Sequence, residues 1–221
     1  MASSQAQAAP HPLGFMPNVL TIGRIVLIPF IVAGIVLLSN GEQSFLGRPT
    51  VLLTLFLIAA ITDFLDGFLA RRWNVVSDFG RMIDPIADKL LVAGCLIGFC
   101  IVSSGDPLIM FPALAIIGRD ILVSGAREHA ALSGRVMPPT NLAKWKTACE
   151  MLGIGVLITW AASRAVIPVD SFLPPFVEWS GRVGLLLIWL AATLSVYTGS
   201  LYLRGPWQKL SRRLKRNFAS H

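Results

Sequence analysis

The sequence predicts an all-α integral membrane protein, a bundle of about six transmembrane helices. The first observation behind this is composition: 54% of the 221 residues are apolar, 14% are charged and the mean hydropathy is +0.68. A soluble domain carries closer to about 25% charged residues. The second is the recurrence of long apolar runs, at Val19–Asn40, Val51–Ile61, Leu90–Val102, Leu108–Ile117, Leu152–Ala162 and Val183–Tyr197. The third is that the charges gather between these runs. A spanning helix needs about 20 mostly apolar residues, fewer where its ends are amphipathic.

Taken in order, residues 1–15 read as a flexible lead-in, with Pro10, Pro12 and Gly14 and no basic segment of the kind that opens a cleavable signal. The first span is therefore expected to be retained. Spans are expected near 18–38, 51–71, 81–103, 108–130, 143–163 and 181–203. The first is interrupted only by Arg24 and the fourth by Arg119-Asp120. Pro138-Pro139-Thr140 marks the turn before the fifth, and Pro168 with Pro174-Pro175 marks the connection before the sixth. Residues 16–203 form one transmembrane unit. The basic tail 204–221 spaces Trp207, Leu210, Leu214 and Phe218 near a helical period, as an interfacial helix does. Cys95, Cys100 and Cys149 lack metal-ligand spacing and read as small core residues, and His129 reads as a surface histidine.

Orientation follows from the basic residues. With six spans, one side holds Arg71, Arg72, Arg81, Arg127, Arg135, Lys144, Lys146 and the six cations of the tail, and the other holds Arg48, Arg164 and Arg182. This asymmetry puts both termini and the second connection in the cytoplasm, in a plasma (inner) membrane. Charges at span ends, without a basic soluble face interleaved with aromatics, exclude a nucleic-acid partner.

The chemistry is concentrated in one stretch. Asp63, Asp66, Gly67, Ala70, Arg71, Gly80, Asp84 and Asp88 form the pattern D-x2-D-G-x2-A-R-x8-G-x3-D-x3-D between two apolar runs. At about 100° per residue, Asp63, Asp66, Gly67 and Ala70 share one face of the second span, and Ser77, Gly80, Asp84 and Asp88 share one stripe of the third. Spans joined by a short connection are expected to be antiparallel neighbours, so the two stripes would face each other. Each Asp in a hydrocarbon phase costs roughly 2.5–3.5 kcal/mol on insertion scales. Two like charges at about 4 Å repel by about 4 kcal/mol at an effective dielectric of 20. A bound divalent metal relieves both costs, and carboxylate oxygens are what magnesium prefers. Gly67, Ala70 and Gly80 leave room for a base or phosphate, and Arg71 offers a forked donor to phosphate oxygens. Arg71, Arg72 and Arg81 cannot all reach four aspartates as structural ion pairs.

These eight residues at these spacings resemble the signature of the CDP-alcohol phosphatidyltransferase family. The resemblance implies a six-helix membrane enzyme, usually a homodimer among membrane lipid, with its site open to the cytoplasmic leaflet. It implies transfer of the phosphatidyl group of CDP-diacylglycerol to an alcohol, with release of CMP and use of Mg2+ or Mn2+, two ions per site. Carried over, Asp63, Asp66, Asp84 and Asp88 are metal ligands and Asp88 is also the general base. Asn18, Thr21, Gly67, Ala70, Arg71, Ser77 and Gly80 line the CDP-diacylglycerol site.

The acceptor is read from other polar residues. Arg119, Arg127, Lys144 and Lys146 surround the cytoplasmic ends of the fourth and fifth spans, and an arginine inside an apolar helix usually faces a functional cavity. Four such cations suit an acceptor that carries a phosphate. The stretches Leu20–Ile25, Phe68–Asn74, Asp84–Lys89 and Leu142–Thr147 are similar to the branch of the family that uses glycerol 3-phosphate and makes phosphatidylglycerophosphate. Inositol phosphate, serine or phosphatidylglycerol remain open as acceptors. An intramembrane prenyltransferase lacks the D-G-x2-A-R element, and a non-enzymatic transporter leaves the x8 spacing unexplained.

Overall fold

The computed structural model describes residues 16–42, 44–73, 78–132, 141–167 and 174–218; within them, side chains are described except at 16–17, 64, 66–73, 78–79, 81, 141, 143–144, 174 and 202–218. The described chain is helical: α1 (Met16–Ser39), α2 (Pro49–Trp73), α3 (Asp78–Val102), α4 (Pro107–Leu132), α5 (Asn141–Val166) and α6 (Pro174–Phe218). Among the described residues, α1, α3, α4, α5 and α6 are each long and apolar enough to cross a membrane. In α2 the apolar stretch within the described side chains is Pro49–Asp63. The six-span expectation is thus met by six helices, of which five qualify on length and composition. The protein is an integral membrane protein.

Local sequence explains where the helices stop. The α1 end is closed by Glu42 N–H donating to Leu37 O at 3.1 Å and Gly41 N–H donating to Leu38 O at 3.2 Å. Gly41 sits at φ +70°, the left-handed conformation this closure requires. Between α3 and α4, Gly105 N–H donates to Cys100 O at 3.0 Å, with Ser104 and Gly105 both at positive φ. Asp106 then caps α4, its Oδ1 accepting from Leu108 N–H at 2.9 Å, and Pro107 occupies the first helical position. The turn reverses the chain within four residues, 103–106. At the other end, α6 continues as one helix through Gly205-Pro206 into the basic tail.

The helices pack as a closed ring, in the order α1, α2, α5, α6, α4, α3 and back to α1, with α5 also meeting α1 and α3 across the middle. This corrects one expectation. The sequence reading made α2 and α3 direct neighbours; instead each packs extensively on α1, and among the described residues they scarcely touch each other. Gly94 is what lets α3 lie so close to α1, since a Cβ there would stand 2.8 Å from Ile28 Cγ2. Ile31, Leu52, Leu91, Leu96, Ile116, Ile154, Ile158 and Ile188 fill the ring. The large apolar side chains left exposed, such as Val26, Ile97, Leu114 and Leu186, suit hydrocarbon.

Candidate functional site

Toward the end of the bundle that carries Asp63 and Asp88, the apolar filling gives way to a cavity of about 690 Å³. Four helices contribute: Asp63 from α2; Pro85, Asp88, Lys89 and Val92 from α3; Arg119, Asp120 and Arg127 from α4; and Lys146 to Met151, except Cys149, from α5.

One wall is organised by α1. Arg24 is buried, with 1% of its surface accessible, and its Nη1 donates to Asp63 Oδ1 and, at 2.6 Å, to Asp88 Oδ1. One guanidinium nitrogen thus joins a carboxylate of α2 to a carboxylate of α3. One turn earlier, the Thr21 hydroxyl donates to Asp84 Oδ1 at 2.8 Å. Three of the four aspartates therefore converge on one face of α1. The sequence reading took Arg24 only as an interruption of the first span, and so missed the cation that pairs Asp63 with Asp88. Its signal was available: an arginine in an apolar helix has to find a buried partner, and the seventeenth to twenty-fourth residues place Asn18, Thr21 and Arg24 at helical spacing.

The opposite wall carries cations. Arg119 Nη1 donates to Asp120 Oδ1 at 3.0 Å and its Nη2 to Thr198 Oγ1 of α6 at 3.1 Å. Lys146 is buried, donates to the same Asp120 oxygen and lies 2.9 Å from Glu150 Oε1, one turn on. Arg119 Nε is buried without a hydrogen-bond partner among the described residues. Gly199 makes room for this side chain: a Cβ there would stand 2.9 Å from Arg119 Cγ. Lys89 Nζ donates to Ser124 Oγ, and that hydroxyl donates to Asp120 O at 2.5 Å. Lys89 and Glu150 were not singled out from sequence, because a lysine and a glutamate near span ends look like ordinary anchoring charges.

The cavity brings together Asp63, Asp88, Arg119, Arg127 and Lys146 of the residues expected from sequence. Asp84 and Thr21 lie on each other beside it, Asn18 is half-buried at the start of α1, and Gly80 is buried at the start of α3. The side chains of Asp66, Gly67, Ala70, Arg71 and Lys144, and residue Ser77 altogether, lie outside the described residues. Among the described residues, no group of three His, Cys, Asp or Glu side chains is close enough to hold a metal ion. The donor set is nonetheless of the right kind. Carboxylate oxygens from two helices meet at a point where a cation already sits, the guanidinium of Arg24, and hard oxygens are the ligands of magnesium and manganese. His129 is exposed at the end of α4.

Known proteins resemble the chain over most of its length. The CDP-alcohol phosphatidyltransferase family model matches residues 14–197. A Rickettsia felis protein named CDP-diacylglycerol–glycerol-3-phosphate 3-phosphatidyltransferase is 39% identical over 189 residues, 86% of this chain and 93% of that protein. A Rickettsia bellii protein of the same name is 40% identical over the same shares. A rice (Oryza sativa) protein named cardiolipin synthase (CMP-forming) is 35% identical over 215 residues, 92% of this chain and 61% of the relative. With the family match spanning both walls of the cavity and all of α1 to α5, the chain belongs to the CDP-alcohol phosphatidyltransferase family.

Proposed function

We propose that the protein transfers the phosphatidyl group of CDP-diacylglycerol to glycerol 3-phosphate, giving phosphatidylglycerophosphate and CMP. The observation that carries this reading is the charge balance across the cavity. Among the described residues, Lys89, Arg119, Arg127 and Lys146 share their side of the cavity with Asp120 and Glu150, while Asp63 and Asp88 at the other side are tied to Arg24, which leaves the acceptor side with more cations than carboxylates. A phosphate monoester at neutral pH carries about −1.5 to −2 charges, so the surplus suits a phosphorylated alcohol. The bacterial relatives' printed names support the same acceptor.

In this reading Asp63, Asp66, Asp84 and Asp88 hold Mg2+ or Mn2+, probed most simply as two ions per site. Bound there, such ions would supply positive charge to the diphosphate and to the departing CMP. The chain's own residues do the rest. Asn18, Thr21, Gly67, Ala70, Arg71, Ser77 and Gly80 bind the donor's nucleotide, while its acyl chains stay in lipid. Arg119, Arg127, Lys144 and Lys146 hold the acceptor's phosphate. Asp88, whose side chain is 52% exposed, takes the proton of the 1-hydroxyl as that oxygen bonds to the phosphorus of the phosphatidyl group. The bond from that phosphorus to the CMP oxygen breaks, and the electron pair leaves with CMP. The site and both termini face the cytoplasm, in keeping with the basic residues at that side, and the family likeness supports a homodimer.

The test is CMP release by purified protein from CDP-diacylglycerol with glycerol 3-phosphate, phosphatidylglycerol, inositol phosphate or serine, each with Mg2+, with Mn2+ and after chelation. Glycerol 3-phosphate is expected to be the acceptor, and chelation is expected to stop the reaction. Release with phosphatidylglycerol alone, a phosphodiester of lower charge, would overturn glycerol 3-phosphate as the acceptor. Full activity after exhaustive chelation would remove the metal from the proposal.

A further inference from the structure

The four cations of the acceptor wall are not equivalent. Arg119 and Lys146 share Asp120 Oδ1, and Lys146 is also met by Glu150. Lys89 is different: its Nζ donates to a hydroxyl, Ser124 Oγ. No carboxylate hydrogen bond meets its charge among the described residues. The serine hydroxyl spends its own proton on the Asp120 carbonyl, so it acts here as an acceptor and leaves the ammonium two further donors. A half-buried lysine in a membrane helix, hydrogen-bonded among the described residues only to a neutral group, is costly unless an anion visits it. Its position is also singular. Lys89 follows Asp88 directly in α3, both line the cavity, and Lys89 lies within electrostatic reach of Asp120, Arg127, Asp88 and Lys146. It therefore stands between the carboxylate wall and the cation wall.

We infer that Lys89 is an acceptor-specificity residue: its ammonium, steered by Ser124, donates to the phosphate monoester of the incoming alcohol and fixes that phosphate beside Asp88. The inference rests on the proposed reaction and assigns it a residue. Holding the phosphate next to the proton-accepting carboxylate limits which hydroxyl of the alcohol can reach Asp88. An acceptor without a phosphate monoester gains nothing from Lys89.

The experiment compares the wild-type enzyme with Lys89→Gln and Lys89→Arg, measuring KM for glycerol 3-phosphate, KM for CDP-diacylglycerol, and inhibition by inorganic phosphate competing with glycerol 3-phosphate. Loss of a charged hydrogen bond, worth about 1.5–3 kcal/mol, corresponds to roughly ten- to a hundredfold in affinity. Lys89→Gln is expected to raise KM for glycerol 3-phosphate and the phosphate inhibition constant by that order. KM for CDP-diacylglycerol should move by less than about twofold, and Lys89→Arg should recover most of the loss, since it restores the charge. Should Lys89→Gln not accumulate, Lys89→Met, which keeps an apolar stem against α4, carries the same comparison. An unchanged KM for glycerol 3-phosphate would overturn the inference, as would equal increases in both KM values, which a merely structural lysine produces. If wild-type protein releases no CMP with glycerol 3-phosphate, the proposed reaction itself fails; if it does and the variants match it, only the role of Lys89 fails.

Discussion

The wall built by α1, α2 and α3 and the wall built by α4 and α5 carry opposite imbalances of charge. On the first, among the described residues, Asp63, Asp84 and Asp88 are met by the Arg24 guanidinium and the Thr21 hydroxyl. On the second, with Lys89 reaching across from α3, four cations are met by two carboxylates. Both walls sit in a low-dielectric bundle, where unbalanced charge is expensive. In the proposed reaction each imbalance would be relieved by a ligand of opposite sign, a metal on one side and a phosphate on the other. The difference also explains how the walls are held. Among the described residues, the acidic wall is tied together from a third helix, by Arg24 at Asp63 and Asp88 and by Thr21 at Asp84. The basic wall is a network through Asp120, Glu150, Thr198 and the Ser124 hydroxyl, so no single contact there carries the geometry alone.

This contrast can be broken at three places, in descending order of effect. Asp88→Asn should lower CMP release by roughly 10²–10⁴-fold, the range general-base help supplies, while the protein still elutes as a folded species; near-normal turnover would remove Asp88 from the proton transfer. Arg24→Met should be next. It removes the bridge between two carboxylates on helices that scarcely touch among the described residues, so both thermal stability and turnover should fall. The stability loss should stay below the roughly 3–5 kcal/mol of breaking a fully buried pair, because Asp63 and Asp88 are partly exposed. Arg24→Lys should recover part of both, and a thermal shift assay beside the CMP assay reads them separately. Gly199→Ala should have the smallest effect. Its methyl displaces the Arg119 stem by a few tenths of an ångström, and the network behind Arg119 absorbs part of that. A severalfold rise in KM for glycerol 3-phosphate with little change in melting temperature is expected, and a KM equal to wild type would show that Arg119 needs no such room.

The helices were legible because apolar length is a local property. Expected spans 18–38 and 108–130 correspond to α1 and α4 within two residues at each end. The last helix was less so, since Pro174-Pro175 opens α6 rather than standing in a connection before it. Proline fits the first turn of a helix, where its missing N–H has no partner to lose. The clustering of Asp63 with Asp88 was legible from spacing, but the reason for it was not. The helical stripes said which faces the carboxylates occupy, and nothing local said that α1 lies between those faces. Arg119 and Lys146 were expected at a cavity and line one, while of the carboxylates that meet them Asp120 was read only as part of the interruption of the fourth span and Glu150 was not singled out.

What the sequence alone determined was periodic and local: six helices, an apolar exterior, acidic residues on stripes of two helices, and the motif that marks the family. The tertiary structure decided which faces meet, putting Arg24 between α2 and α3 and setting Asp120 against two cations from two helices. The physical reason is one of range. Helix formation and hydrophobic matching depend on neighbours a few residues apart, whereas a buried charge is satisfied by whichever partner the packing brings to it, here 39, 64 and 26 residues away.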